Sequence, residues 1–330
     1  MADPQVLERA AAGGDAAAAT RLGEMLLGGT GGAVDAPRAV ELIRAGTAGG
    51  DPRAFALAAL VAGAGIGRAP DWDECLDQLA RSAELGSEAS RDELRLLAGA
   101  PGGASDWRAL RRAVDLAAWL TPPAKRSLSE DPRLRVFDDF ATPATCDWLI
   151  GRARRRLAPA QVYDVGTGAA TVHHARTNSE TDFNIVESDV VLLLLRARIA
   201  AATGLPPAVM ELTKVLHYQP GQEFLPHWDF IDPEVPGYAN ELAARGQRIA
   251  TLLLYLNEAY DGGETDFSRL GIRYKGRRGS ALLFANVDRA GAPDRRTLHA
   301  GLPPRSGEKW LLSQWIRDRT PTSTQPMGNA

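Results

Sequence analysis

The sequence predicts an α+β protein with two domains, an N-terminal α-helical repeat domain and a C-terminal antiparallel β sandwich or barrel. Three observations lead to this fold class. The chain has 330 residues, more than one ordinary domain needs. Roughly the first hundred residues contain an internal repeat. After Leu134, short β-type segments separated by glycine and proline replace the helical pattern.

The repeat lies in an alanine- and leucine-rich segment. Gly14, Gly50 and Gly86 are spaced by 36 residues, and the same offset relates Asp35 to Asp71. Within one unit, we expect a helix over AAAATRLGEMLLGG and a second over DAPRAVELIRAGTAGG, with Asp35 as its N-cap. This pattern resembles the Sel-like repeats, relatives of the tetratricopeptide repeats, whose paired helices form curved binding surfaces. A plain alanine-rich helical bundle without a partner is the alternative.

A third helical stretch, Asp106 to Leu120, is expected to cap the array before the break at Thr121, Pro122 and Pro123. The predicted domain bounds follow from this break and from the change of pattern. They are a helical repeat domain at 1–120, a linker at 121–133, a β domain at 134–320 and a disordered tail at 321–330.

The C-terminal domain contains segments typical of strands. The clearest are RVFDDF, ELTKVLHY, RIATLLLYL, SALLFAN and KWLLSQWIRD. We expect one helix from Pro143 to Arg156, capped by Thr142, and another near Ser188 to Thr203. Many short strands without intervening helices predict a sandwich or barrel, with helices packed on one side.

Composition and charge exclude several classes of protein. The longest apolar runs are too short for a membrane span, and the N-terminus lacks the basic and apolar regions of a signal peptide. Cys75 and Cys146 are far apart and show no metal-ligand spacing. A net charge of -3 gives no general attraction to nucleic acid. We therefore expect a cytoplasmic protein that binds neither membranes nor nucleic acid.

Two histidines and an aspartate give the strongest chemical signal. His227 and Asp229 lie in HYQPGQEFLPHWDF, and His299 follows in RTLHAG. Residues two apart on a strand point to the same side, so His227 and Asp229 can face one metal ion. Two imidazoles and one carboxylate suit a facial iron(II) site, which leaves positions open for a cosubstrate and dioxygen. A surface histidine beside a solvated aspartate is the alternative interpretation.

Three further side chains favour the metal site. Lys309 follows His299 by ten residues, on a strand whose apolar neighbours indicate burial. A buried lysine needs an anionic partner, because an unpaired buried charge is costly. Tyr218 and Thr251 supply hydroxyl groups that could donate to the same anion. Together these residues predict a pocket for an anionic cosubstrate beside the metal.

The chain resembles the prolyl 4-hydroxylase family of 2-oxoglutarate-dependent oxygenases over roughly residues 134–318. The resemblance implies a double-stranded β-helix, a jelly roll whose mouth holds the metal. The motifs that carry it are VFDDFATPATCDWLI, ARTNS, VLHYQPGQEFLPHWDF, RIATLLLYLNEAYDGGETDF, GSALLF and LHAGLPPRSGEKWLLSQWI.

The resemblance also implies roles for individual residues. His227, Asp229 and His299 would bind iron(II). Lys309 would bind the distal carboxylate of 2-oxoglutarate, with Tyr218 and Thr251 assisting. Arg176, in the ARTNS segment, and Trp315 would lie on the substrate side.

The implied activity is hydroxylation of an unactivated carbon, with iron(II), 2-oxoglutarate and dioxygen as cofactors and ascorbate as a candidate reductant. Succinate and CO2 are the expected coproducts. The leading hypothesis for the substrate is a prolyl or other residue of a protein or peptide. Alternatives are a free amino acid or other small molecule, a repeat-based interaction protein with a degenerate oxygenase domain, and a zinc hydrolase. The last two would leave Lys309 and its neighbours unexplained.

The helical repeats are expected either to recruit a protein substrate or to support the fold. If they only recruit substrate, a chain beginning near Ser127 should still bind iron and 2-oxoglutarate. An insoluble shortened chain would indicate a supporting role.

Overall fold

A computed structural model describes residues 3–30, 32–164, 169–171 and 174–320, with the backbone alone for 162–164 and 169–171. The predicted tail at 321–330 lies outside the described residues. The chain divides into two compact units. The first contains the described residues up to Thr121 together with Asn184–Arg198, and the second contains the described residues of Pro122–Phe183 and of 199–320.

The first unit is helical. Its helices are α1 (Pro4–Ala12), α2 (Ala16–Gly28), α3 (Ala36–Ala48), α4 (Pro52–Ala64), α5 (Trp72–Glu84), α6 (Glu88–Leu97), α7 (Trp107–Ala113) and α8 (Leu116–Leu120). The two helices predicted for one repeat unit are confirmed as α2 and α3.

The residues that cap the helices recur with the 36-residue spacing of the repeat. The side chains of Asp15, Asp51 and Ser87 accept hydrogen bonds at the starts of α2, α4 and α6, and Asp35 and Asp71 do the same for α3 and α5. Each cap satisfies a backbone N–H that the first turn of a helix leaves unpaired. The spacing of these capping residues therefore fixes where each helix of the repeat begins.

The helical stretch expected from Asp106 to Leu120 is present, and it is divided into two helices. Two helices occupy this stretch, because Val114 has an extended backbone with ψ 115° and ends α7. Asp115 then caps α8 by accepting a hydrogen bond from Ala118 N. A second Asp cap within the stretch restarts the helix.

Residues Asn184–Arg198 belong to the helical unit although they lie far along the chain. Leu193 is buried in the same cluster as Leu27, Ile43 and Leu57. The carboxylate of Glu93 in α6 accepts hydrogen bonds from the backbone N–H groups of two successive residues, Val190 and Val191, the second at 3.2 Å. These N–H groups open a helix and would otherwise have no partner within it.

The second unit is a β structure with few helices. Its strands are β1 (Lys125–Ser129), β2 (Leu134–Phe137), β3 (Ala158–Pro159), β4 (Val162–Asp164), β5 (Ala169–Thr171), β6 (Ser179–Phe183), β7 (Thr213–Tyr218), β8 (Phe224–His227), β9 (Arg248–Tyr255), β10 (Asp261–Gly262), β11 (Thr265–Phe267), β12 (Ile272–Tyr274), β13 (Ala281–Ala285), β14 (His299–Gly301), β15 (Pro304–Ser306) and β16 (Lys309–Arg317).

Three α-helices and several 3-10 turns complete the part of the chain that the structure describes. The α-helices are α9 (Pro143–Arg154), α10 (Val190–Thr203) and α11 (Ala239–Arg245), and the 3-10 turns are Pro207–Val209, Pro236–Tyr238, Ser268–Leu270 and Arg295–Thr297. Both helices expected in this region are confirmed as α9 and α10. Thr142 caps α9 as predicted, since its hydroxyl accepts a hydrogen bond from Thr145 N at 3.1 Å.

Two antiparallel sheets carry the functional residues. The larger has the strand order β1-β2-β13-β9-β16-β7-β6-β3, and the smaller has the order β12-β11-β14-β8. Side chains from both sheets meet in one buried cluster, for example Leu253 and Leu311 from the larger sheet and Phe267 from the smaller. This arrangement confirms the predicted fold class, a helical segment followed by a jelly roll with antiparallel sheets.

Among the residues that the structure describes, no helix is long and apolar enough to cross a membrane.

Candidate metal centre and cosubstrate pocket

The smaller sheet brings the two histidines together. His227, the last residue of β8, pairs directly with His299, the first residue of β14. Asp229 lies in the bend after β8 and not on the strand, so the strand alternation expected for this pair does not apply. The chain nevertheless turns its carboxylate back to the histidines. One ligand atom from each of the three residues lies within 4.8 Å of the others.

Backbone carbonyl groups fix which nitrogen each histidine offers. His227 Nδ1 lies 2.8 Å from Leu225 O, and His299 Nδ1 lies 3.0 Å from Thr297 O. A carbonyl oxygen can only accept, so each Nδ1 carries the proton and each Nε2 keeps its lone pair. The Nε2 atoms face Asp229, at 3.6 Å from Oδ1 for His227 and 3.7 Å from Oδ2 for His299. This is the tautomer that a metal requires.

The protonation states also suit a metal. Burial, reinforced by the neighbouring His299, lowers the pKa of His227 to about 3. Burial alone would raise the pKa of the Asp229 carboxyl, but His299, His227 and the Thr251 hydrogen bond together bring it below its ordinary value. At neutral pH the cluster therefore presents a neutral imidazole at His227 and an ionised carboxylate, the forms that bind divalent iron.

Lys309 lies on the pocket wall formed by the larger sheet. It begins β16 and pairs with Tyr218 of β7, and its Nζ lies 5.0 Å from the centre of the Tyr218 ring. Lys309 is fully buried, and its Nζ has no hydrogen-bond partner among the described residues. Burial lowers the pKa of Lys309 to about 7, with a small opposing effect from Glu264. Lys309 and Tyr218 line the same cavity as His227, Asp229 and His299.

Thr251 has a different partner from the one predicted. Its hydroxyl donates to Asp229 Oδ2 at 2.7 Å and accepts from Asn286 Nδ2 at 3.0 Å. A hydroxyl has a single hydrogen to donate, so none remains for a carboxylate bound near Lys309. The prediction that Thr251 assists Lys309 is therefore corrected: Thr251 supports the aspartate of the metal cluster.

Thr265 supplies the hydroxyl that sequence reasoning missed. It is 2% exposed and lines the cavity with Lys309. Its Oγ1 lies 2.8 Å from the Tyr255 hydroxyl. The GGET turn that precedes β11 places it there. Within that turn Gly263 has φ 70°, and a Cβ at that position would lie 2.9 Å from the Tyr260 ring, so a side chain would push the turn away from Lys309.

Arg176 lies near the metal cluster. It is 5% exposed, and its guanidinium carbon lies 4.7 Å from the centre of the Phe224 ring, which stacks on His227 at 3.5 Å. It forms a salt bridge with Glu180. Arg176 is thus part of the cavity wall rather than an exposed loop residue.

Trp315 lines the same cavity from β16. It pairs with Thr251 in the neighbouring strand, and the Arg248 guanidinium lies 3.9 Å from the centre of its ring. Arg248 is itself held by Glu211 at 2.6 Å. Burial would raise the pKa of Glu211, but Arg248 and Arg317 outweigh it and lower the pKa to about 2.

Comparison with known proteins gives consistent results. Residues 213–317 match the 2OG-Fe(II) oxygenase superfamily. Prolyl 4-hydroxylase 1 of Arabidopsis thaliana is 34% identical over 206 residues, which cover 58% of this chain and 71% of the relative. The crystal structure of a viral collagen prolyl hydroxylase from Paramecium Bursaria Chlorella virus-1 is 29% identical, covers 56% of this chain and 94% of its own, and has a TM-score of 0.43.

A second solved structure is similar to part of this chain. A Sel1 repeat protein from Oxalobacter formigenes is 32% identical, covers 35% of this chain and 48% of its own, and has a TM-score of 0.28. The family assignment depends on the oxygenase part, where about a third of the aligned residues are shared with the plant enzyme over most of that enzyme's length. The chain belongs to the prolyl 4-hydroxylase family of iron(II)- and 2-oxoglutarate-dependent oxygenases.

Proposed function

We propose that this chain hydroxylates a prolyl residue of a protein or peptide. In this proposal His227, Asp229 and His299 hold iron(II), and Lys309 holds the distal carboxylate of 2-oxoglutarate. The observation that carries the proposal is the fully buried Lys309, whose Nζ faces the metal cavity without a hydrogen-bond partner among the described residues. A buried ammonium without a counter-ion is costly, so the cavity suits an anionic ligand.

The residues present fit both groups. Two Nε2 atoms and one carboxylate give the donor set that non-haem iron(II) oxygenases use and leave coordination positions open. Lys309 lies on the opposite sheet, where a dicarboxylate could bind the metal with one end and the ammonium with the other. When bound, iron(II) with 2-oxoglutarate and dioxygen supplies the oxidising power that inserts oxygen into a C–H bond, with succinate and CO2 as coproducts.

The residues of the chain itself would bind and orient 2-oxoglutarate. Lys309 would provide the charge for the distal carboxylate, and the Tyr218 hydroxyl, which lines the same cavity, would donate to it. Thr265 also lines this cavity. Burial raises the pKa of Tyr218 to about 12, so its phenol keeps its hydrogen at neutral pH. Hydrogen bonds to a charged acceptor are roughly twice as strong as neutral ones. Leu253 and Leu311 on the cavity wall exclude water from the cosubstrate.

Charge pairing near the cavity favours a peptidyl substrate over a free amino acid. Arg176 and Lys214 both pair with Glu180, and Arg248 pairs with Glu211. These cations therefore already have carboxylate partners. A free amino acid would bring an ammonium and a carboxylate that each need a counter-ion, whereas a prolyl residue within a peptide is neutral at this point.

The helical unit supplies a surface that could recruit a protein substrate. A groove of about 430 Å³ is lined by Val40, Ile43 and Val61, with Arg44 and Arg68 among its charged residues. We expect Val40→Glu to raise KM for a full-length protein substrate and to leave KM for a short peptide unchanged. If Val40→Glu changes KM for neither substrate, the groove does not recruit the protein substrate.

Mass spectrometry of proline-containing peptides and proteins incubated with the enzyme, iron(II), 2-oxoglutarate and ascorbate tests the proposed function. The expected result is a mass gain of one oxygen atom at proline, with one succinate per hydroxylation. His299→Ala should lose both products, while His174→Ala, at an exposed residue, serves as the matched control. Hydroxylation of free amino acids without any peptide product would contradict the peptidyl assignment.

A further inference from the structure

A short chain of hydrogen bonds leads from the metal cluster into the core. Asp229 Oδ2 accepts from the Thr251 hydroxyl at 2.7 Å, and the Thr251 oxygen accepts from Asn286 Nδ2 at 3.0 Å. Asp229 is 5% exposed, and Thr251 and Asn286 are fully buried. Each link is thus shielded from water, which would otherwise compete for the same groups.

The direction of these bonds follows from chemistry. An ionised carboxylate can only accept, so Thr251 must donate its single hydrogen to Asp229. The Thr251 oxygen can then only accept at its remaining positions, and the amide N–H of Asn286 fills one of them. The bond from Asn286 to Thr251 and the bond from Thr251 to Asp229 therefore run in the same direction, toward the carboxylate.

Asn286 is held by its backbone. Its N–H donates to Ile249 O at 2.9 Å, and its carbonyl accepts from Asp294 N at 3.0 Å. Its side-chain Oδ1 is buried without a hydrogen-bond partner in the part of the chain that the structure describes. A buried amide with an unpaired oxygen is unfavourable for stability. Stability of the core therefore does not explain the amide at this position. Its hydrogen bond to Thr251 does explain it.

We propose that Asn286 and Thr251 are positioning residues that make Asp229 a single-oxygen ligand of the metal. This inference rests on the proposed iron site. The hydrogen bond from Thr251 fixes the plane of the carboxylate and takes one of the two acceptor positions of Oδ2. Oδ1 accepts no bond from Thr251, so it would be the preferred ligand atom for the ion. Single-oxygen ligation keeps a coordination position that a chelating carboxylate would take, and a facial site needs its open positions for cosubstrate and dioxygen.

We call the chain of hydrogen bonds from Asn286 through Thr251 to Asp229 the relay. Cobalt(II) binding to the full-length protein tests it without depending on turnover. The visible spectrum of bound cobalt(II) reports coordination number and geometry. Thr251→Val removes the hydroxyl at nearly constant volume, and loss of such an outer-sphere partner typically weakens metal binding by roughly ten- to a hundred-fold. We expect that loss of affinity, a changed cobalt(II) spectrum, and more succinate formed per hydroxylated product. Thr251→Ser, which keeps the hydroxyl, should restore all three.

Two more variants complete the experiment. Asn286→Ala should shift the spectrum in the same direction as Thr251→Val, and the double variant should be no worse than Thr251→Val alone, because both act through one bond to Asp229. Thr213→Val removes another buried hydroxyl, one that donates to Gln314 at 2.6 Å, and should leave the cobalt(II) spectrum unchanged.

The outcomes separate the relay from the function on which it rests. A folded Thr251→Val protein with the wild-type cobalt(II) affinity and spectrum overturns the relay and leaves the iron site intact. A Thr213→Val protein that changes as much as Thr251→Val also overturns it, since the effect would then be general destabilisation. Wild-type protein that binds no cobalt(II) overturns the proposed function, and the relay with it.

Discussion

Lys309 is a buried cation whose charge depends on pH within the physiological range. Burial lowers its pKa from an ordinary 10.5 to about 7. Below this pH the ammonium is present and can bind a carboxylate. Above it the amine is neutral, so it must take up a proton before it can form an ion pair with a carboxylate.

Affinity for 2-oxoglutarate should therefore fall as pH rises above about 7. One required proton weakens binding by up to about tenfold per pH unit beyond the pKa. Lys309→Arg keeps its charge over the whole range and should remove this dependence, even if its affinity is lower. Calorimetric titration of the iron(II)-loaded protein between pH 6 and pH 9 measures both, under an inert atmosphere. A wild-type affinity that stays constant over this range would show that Lys309 keeps its proton without the ligand.

The sequence was sufficient to predict that His227, Asp229 and His299 come together and that Lys309 is buried, but not their local surroundings. His227 and His299 are two of only five histidines in the chain, and they stand in a recognisable spacing with Asp229. Lys309 stands out because a lysine is unusual on an apolar strand. Thr251 and Thr265 are both threonines near the site, and nothing local distinguishes them. Only the folded structure shows that Thr251 bonds to Asp229 and that Thr265 lines the cavity with Lys309, because these positions depend on pairing with distant segments.

At the scale of elements, Glu93 links α6 to the start of α10. Its carboxylate accepts from the Val190 and Val191 N–H groups and is 7% exposed. Glu93→Ala would leave two buried N–H groups without this acceptor, and each unpaired group typically costs about 1–3 kcal/mol. We expect a lower Tm by calorimetry and faster amide exchange at these two residues.

Glu88→Ala is the matched control for this prediction. Glu88 lies in the same helix, and its side chain is 72% exposed in a salt bridge with Arg91. Surface pairs of this kind contribute little to stability. If both variants have the wild-type Tm and the exchange at Val190 is unchanged, Glu93 does not hold the start of α10.

Helix and strand positions were largely predictable, while their assembly was not. The repeat is periodic and its Asp caps are local signals, so α2 and α3 could be placed from sequence. A helix in the segment Asn184–Arg198 was also expected from sequence, but no local signal assigns this segment to the helical unit. Its membership of the helical unit depends on contacts with residues about a hundred positions earlier, such as that of Val190 with Glu93, and local propensity does not encode them.

At the scale of the whole molecule, the helical unit incorporates a segment that the chain reaches only after several strands. Removing the repeats would leave Asn184–Arg198 without the residues that cover it. Leu193 would lose the buried cluster that it shares with Leu27 and Leu57, and Ile185 and Val186 would lose the same cover. Exposed apolar patches of this kind promote aggregation.

A chain beginning near Ser127 should therefore be poorly soluble, or should melt at a markedly lower temperature than the full-length protein. Soluble yield, Tm and cobalt(II) binding of the shortened chain measure this. If it is as soluble and stable as the full-length protein and binds cobalt(II) normally, the repeats are a separable module and the supporting role is wrong. Recruitment of substrate by the groove could then be studied on the two parts separately.

The central claim is that one cavity holds iron(II) at His227, Asp229 and His299 and the distal carboxylate of 2-oxoglutarate at Lys309. Titration of 2-oxoglutarate into the iron(II)-loaded protein without oxygen tests it directly, because chelation of iron(II) by a 2-oxo acid produces a visible charge-transfer absorption. We expect this absorption to saturate at one 2-oxoglutarate per chain. Loss of a buried charge partner typically costs about 2–5 kcal/mol. The Lys309→Ala variant should therefore reach half saturation only at a 2-oxoglutarate concentration at least roughly thirty-fold higher. No absorption in the wild-type protein, or the same midpoint in Lys309→Ala, would contradict the account.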